Sequence, residues 1–153
     1  MVNNLTNPFR DAPLPLGSLI TAAGQRLSAR LDLALAGAGF PDLRAAHATV
    51  FMAVDAEGTR LTRVAERTKM SKQAAGELTR HLTARGYLEV SPDPTDRRAK
   101  VLRLTARGWE AIEVGQQVIA EYDAWLDETV GAESVAQIRD VLTKIIDGSP
   151  SNV

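Results

Sequence analysis

The chain has 153 residues, 44% of them apolar and 24% charged, a balance that supports a folded core and excludes a disordered polyelectrolyte. It has no cysteine, which excludes disulfides and thiol redox chemistry and fits a cytoplasmic setting; it shows neither a bilayer-length apolar run nor a signal-peptide pattern. The net charge of −1 conceals a separation: residues 60–108 hold twelve Lys/Arg against five Asp/Glu (+7), and the remainder holds six against fourteen (−8). A cationic middle between acidic flanks attracts a polyanion such as duplex DNA, the alternative being a chance clustering of solvated charge.

Residues 1–15, with three Asn and with Pro8, Pro13 and Pro15, have no period and read as a flexible arm. Leu16, Ile20, Ala23, Leu27, Leu31 and Leu35 then recur at helical spacing and predict a long amphipathic helix that stops near Gly37 and Gly39. Beyond Pro41, Leu43, Ala46, Val50, Phe51 and Val54 predict a second helix, closed by Gly58. A shorter unit follows. Thr62 reads as the N-cap of a helix with Val64 and Ala65 inward, Thr68, Lys69 and Met70 as a tight turn, and Ser71 as the N-cap of a helix that buries Ala75, Leu78 and Leu82 and stops at Gly86.

Residues 87–90 read as a strand, Pro92 to Asp96 as a turn cluster, and Lys100 to Leu104 as the returning strand. After Thr105 the period is helical again. Trp109, Ile112, Ile119, Tyr122 and Leu126 share a face widened by Val118 and Trp125, Gly131 breaks it, and Val135, Ile138, Val141, Leu142, Ile145 and Ile146 form a last apolar stripe ended by Gly148 and Pro150.

This order predicts a mainly α, α+β winged-helix fold: six helices with a β-hairpin wing. The winged helix-turn-helix lobe spans 43–104, with its recognition helix at 71–86 and its wing at 87–104. Helices at 16–42 and 105–148 flank it, and 149–153 form a tail. A winged helix needs only three helices, so the additional stripes predict an obligate dimer through the N- and C-terminal helices. A larger monomeric core is the alternative.

The outward face of the 71–86 helix carries Lys72, Gln73, Gly76, Glu77 and Arg80. Gln73 suits adenine, Lys72 a guanine edge or a phosphate, and Ser71 a phosphate at the helix N-terminus. Glu77 repels phosphate unless it accepts from cytosine or pairs with Arg80 or His81. On the wing, Arg97, Arg98 and Lys100 put three cations within four residues. Arg98 is placed to enter a narrow minor groove, and Asp96 to brace its guanidinium. Thr62 is grouped with these as a candidate DNA contact.

No enzyme, cofactor or metal site is expected. The two histidines, His47 and His81, lie on separate helices, and no phosphate loop, paired catalytic carboxylates or metal-ligand cluster is evident. Glu110 and Glu113 read as a solvated helix face. A winged helix that binds protein rather than DNA is a further alternative.

The residues Leu61-Thr62-Arg63-Val64-Ala65-Glu66, Met70-Ser71-Lys72-Gln73-Ala74-Ala75-Gly76-Glu77-Leu78, Arg85-Gly86-Tyr87-Leu88-Glu89 and Asp93-Pro94-Thr95-Asp96-Arg97-Arg98-Ala99-Lys100, with Leu104-Thr105-Ala106-Arg107-Gly108, resemble the MarR family of bacterial regulators. The resemblance implies a homodimer on a pseudo-palindromic operator, with Arg98 in the minor groove and Asp96 bracing it. It also implies a pocket for a phenolic or other amphipathic effector whose binding weakens operator affinity, with repression as the default. By position, Arg26, His47, Phe51 and Trp109 are the candidate pocket residues. Two departures stand out: Thr68-Lys69 at a turn where the family often has glycine, and Gly76 inside the recognition helix. The operator, the regulated genes and the effector are not named by the sequence.

Overall fold

The computed structural model describes residues 12–96 and 98–148. Residues 1–11 of the expected arm, the expected tail and Arg97 lie outside the described residues. Six α-helices and a three-stranded antiparallel sheet follow the expected order, with one short strand added.

Helix α1 (Leu16–Gly37) buries Leu31 and Leu35 and is tied to a later helix by Arg30 and Glu121, 3.0 Å apart. Leu16 and Ile20 of the same stripe, and Leu19 beside them, are exposed, because none of the described residues covers the N-terminal half of α1. The helix expected over 43–54 is shorter: a 3-10 turn, Ala45–His47, leads into α2 (Ala48–Ala53). Local side chains cause this. Asp32 accepts the Ala45 N–H at 2.6 Å and His47 Nδ1 accepts the Arg44 N–H at 3.0 Å, an alternative to helical pairing for those donors.

Strand β1 (Thr59–Arg60) was not expected, since two residues carry no period. Helix α3 (Leu61–Thr68) starts directly from it. The capping position is Arg60 with extended backbone, so Thr62 is not the N-cap but sits inside the first turn. Arg60 is already fixed by pairing with Val101, which sets the start of the helix. Lys69 closes α3 in the left-handed region, at φ 54°, a conformation that costs a non-glycine residue about 1–2 kcal/mol.

Ser71 caps α4 (Lys72–Ala84) as expected: its hydroxyl accepts the Ala74 N–H at 3.1 Å. Ala75 and Leu82 are fully buried, and Leu78 packs against the core from a partly buried position. Strands β2 (Leu88–Pro92) and β3 (Lys100–Leu104) form the wing, with Leu88 opposite Leu104 and Pro92 opposite Lys100. The sheet order β1-β3-β2 leaves Pro92 on an edge strand, where its missing N–H is tolerated.

Thr105 accepts the Gly108 N–H at 3.1 Å and starts α5 (Ala106–Val130). Gly108 lies against the Tyr87 carbonyl so closely that a Cβ would collide with it. The buried residues of α5 are Gly108, Ala111 and Val118, while Trp109 and Ile119, expected on the inward face, are exposed. Helix α6 (Ala132–Asp147) packs on α5 but has no buried residue. The core is centred on the winged lobe, where Leu43, Val50, Val64, Leu82, Tyr87, Leu88 and Leu102 are almost wholly inaccessible.

Candidate nucleic-acid interface

Helices α3 and α4, joined by the left-handed Lys69, form the helix-turn-helix. Thr62, Lys69 and Lys72 line an open cleft between them. On α4, Lys72, Gln73, Glu77 and Arg80 are exposed, and Gly76 is open enough that a Cβ would meet nothing within 4 Å. Glu77 is not paired with Arg80 or His81; its carboxylate accepts from Gln73 Nε2 at 3.2 Å. That bond neutralises no charge, but it fixes the direction of the Gln73 amide.

The wing is held by an acid the sequence did not single out. Asp93 is buried, and one carboxylate oxygen accepts from Arg60 Nε at 2.6 Å while the other accepts from the Thr95 N–H at 2.7 Å and its hydroxyl at 2.6 Å. Arg60 also donates to the Thr95 hydroxyl at 3.2 Å. These bonds, those from Thr95 first, hold the Asp93 carboxyl far below the usual carboxylate range. The root of the wing is thereby tied to the start of α3. Only the side-chain type at a turn hinted at this role, because Arg60 and Asp93 are distant in sequence.

Asp96 does hold Arg98, but by its backbone: its carboxylate accepts the Arg98 N–H at 3.0 Å. The Arg98 guanidinium, expected to be braced, extends free of it. Arg97, the third expected wing cation, lies outside the described residues.

The arrangement of cations distinguishes this face. Most Lys and Arg side chains are engaged: Arg30, Arg60, Arg63, Arg67, Arg85, Arg139 and Lys144 in ion pairs, and Arg44, Arg103 and Arg107 in hydrogen bonds. Arg26, Lys69, Lys72, Arg80, Arg98 and Lys100 have no such partner among the described residues. All but Arg26 lie on the turn, α4 or the wing.

Behind the lobe, a cavity of about 330 Å³ opens between α1, α2 and α5. Leu31, Leu35, Phe51, Ala111, Ile112 and Ile119 supply much of an apolar wall, and Arg44 and Gln116 its polar groups. Of the candidate pocket residues, only Phe51 is in that wall. His47 stacks instead on His81, Trp109 is exposed on α5, and Arg26 is exposed on α1. Below the lobe, Tyr87 donates to Asp42 at 2.5 Å and accepts from Arg107 at 3.0 Å. The Tyr87 bond holds the Asp42 carboxyl below its ordinary range, while burial, then Asp42, pushes the Tyr87 phenol up.

A helix-turn-helix with a β-hairpin wing, embedded in flanking helices, defines the class as a winged-helix protein. Residues 42–99 match the model of the MarR family, and the chain is similar in fold to solved members of that family. None of the curated proteins matches the chain in sequence. Among solved structures, MarR from E. coli in its apo form is 23% identical, with a TM-score of 0.65 over 88% of this chain and 98% of that one. The transcriptional repressor CouR, bound to a 23-mer DNA duplex, is 22% identical, with a TM-score of 0.73 over 86% and 92%. Streptococcus pneumoniae FabT in complex with DNA is 17% identical, with a TM-score of 0.74 over 86% and 92%.

Proposed function

We propose that the chain is a ligand-responsive, DNA-binding transcriptional regulator that acts as a homodimer, by default a repressor. Lys72, Gln73 and Arg80, together with the approach permitted by Gly76, read the major groove. Ser71, Thr62 and Lys100 engage the backbone, and Arg98 enters the minor groove. The observation that carries this reading is that, among the described residues, the cations without a side-chain partner lie almost wholly on the turn, α4 and the wing, in a chain of nearly neutral total charge. The role fits that of the family, which is regulation rather than catalysis.

Pairing is supported by the apolar side chains left exposed on α1 and α6: Leu16, Leu19, Ile138, Val141, Ile145 and Ile146. Their burial in a dimer would place two winged lobes on one pseudo-palindromic site, with half-sites about one helical turn apart. The cavity is of a size that suits a small amphipathic molecule, its apolar body against Phe51 and its polar end toward Arg44 or Gln116.

Selection of bound duplexes from a random pool, followed by affinity measurement across salt, tests the reading. A symmetric site is expected, with affinity falling at least about 100-fold from roughly 50 to 200 mM salt. Binding that is absent, or indifferent to salt, would discard it in favour of a protein-binding winged helix.

A further inference from the structure

We propose that His47 and His81 form a proton-gated joint: while both rings are neutral they seat the recognition helix α4 against the segment leading into α2, and when charged they part and weaken DNA binding. This rests on the DNA-binding reading above. The rings stack with centroids 5.0 Å apart and planes inclined by 30°. They are the chain's two histidines, and it has no cysteine. Histidine is the side chain whose ordinary value lies between about pH 5 and 8.

Hydrogen bonding fixes the same neutral form in both rings. His47 Nδ1 accepts from the Arg44 backbone N–H at 3.0 Å. His81 Nδ1 lies 3.0 Å from the Arg85 guanidinium, which can only donate. Each neutral ring therefore carries its proton on Nε2, and a second proton would have to enter at Nδ1, where it would face a donor. His81 Nε2 is buried without a partner, so this ring has no acceptor there to stabilise a cation.

The surroundings act in the same direction. Asp32 from α1, Arg44 ahead of the 3-10 turn, and His81 and Arg85 from α4 are the charged or titratable groups acting on His47. Burial, then His81, then Arg44 hold the imidazole below its ordinary value; Asp32 opposes them and Arg85 adds to them. Asp32 is already bonded to the Ala45 N–H, and Asp42, beside Arg85, accepts from Tyr87. A value lowered by folding means that the His47 contribution is complete above about pH 6.5 and is lost as pH falls through the lowered value. Arg44 also belongs to the cavity wall, so the joint lies between the cavity and α4.

The test combines NMR titration of the imidazole C–H signals in the full chain, wild type and His81→Asn, with duplex affinity at about pH 7.5 and about pH 5.5. The affinity arm uses wild type and His47→Asn/His81→Asn, because Asn keeps a carbonyl acceptor and does not titrate. His47 is expected to titrate below its ordinary value and to move up in His81→Asn. Wild-type affinity is expected to fall about fivefold or more on acidification, and that of the double variant by less than about twofold. Matching pH profiles for the two proteins, or a His47 midpoint at its ordinary value and unmoved by His81→Asn, would overturn the joint. If neither protein binds duplex at any pH, the DNA-binding reading fails while the wild-type titration still decides whether the rings are coupled. That titration also stands if the double variant does not fold.

Discussion

Arg98 and Asp93 divide the work of the wing. Arg98 is fixed at its backbone by Asp96 and free at its guanidinium, so its removal should leave the protein's architecture intact. Arg98→Ala is expected to weaken operator binding several-fold or more with no change in melting temperature, read by mobility shift and calorimetry; unchanged affinity would remove it from the interface. Asp93→Asn should act on both readouts. It takes the charge from a carboxylate that gathers Arg60 and both donors of Thr95, so the wing root loosens, the melting temperature falls and affinity drops by about threefold or more. Asp93 was not legible as the brace because sequence proximity pointed to Asp96. The partner of Asp93, Arg60, comes from β1, more than thirty residues earlier.

Helix α4 is the element most exposed to test by a single atom group. Gly76 lies in its middle with open space around it, so Gly76→Ala should raise stability by about 0.8–1.0 kcal/mol in denaturant melts. If close approach to DNA is what retains the glycine, the same variant binds duplex at least several-fold more weakly; a variant both more stable and equally tight would show that the glycine has no such role. The start of α4 was legible from Ser71, a side chain whose cap bond is local, and β3 from a five-residue run that needed no distant information. Strand β1 and the covered positions of α5 were not legible. The first depends on pairing with a strand some forty residues later, and the second on which parts of the fold cover each turn of α5. Periodicity finds a helix and its stripe, but which side of that stripe is covered is set by tertiary contact.

At the scale of the whole molecule, the apolar faces of α1 and α6 are left exposed, and the proposed pairing makes them the determinants of stability. Helix α6 buries no residue against the described residues of its own chain, so under the proposed pairing its packing free energy comes largely from association. The melting temperature is therefore expected to rise with protein concentration, and sedimentation should give a dimer at micromolar concentration. A monomer whose melting is independent of concentration would sink the pairing. The six-helix winged architecture was legible from element order alone. The extent of the subunit's own core was not, because a stripe buried by a partner and one buried within the chain look alike in sequence.

Helix α6 follows the winged lobe along the chain, and this order bears on biosynthesis. Under the proposed function, a nascent polypeptide completes its DNA-reading lobe before the ribosome releases α6, the segment whose oily side is the proposed seat of a mate. Premature stops after residue 131 should thus yield solitary lobes that still fold around Val64, Leu82 and Leu102. Such fragments would hold only one half of an operator, and weakly.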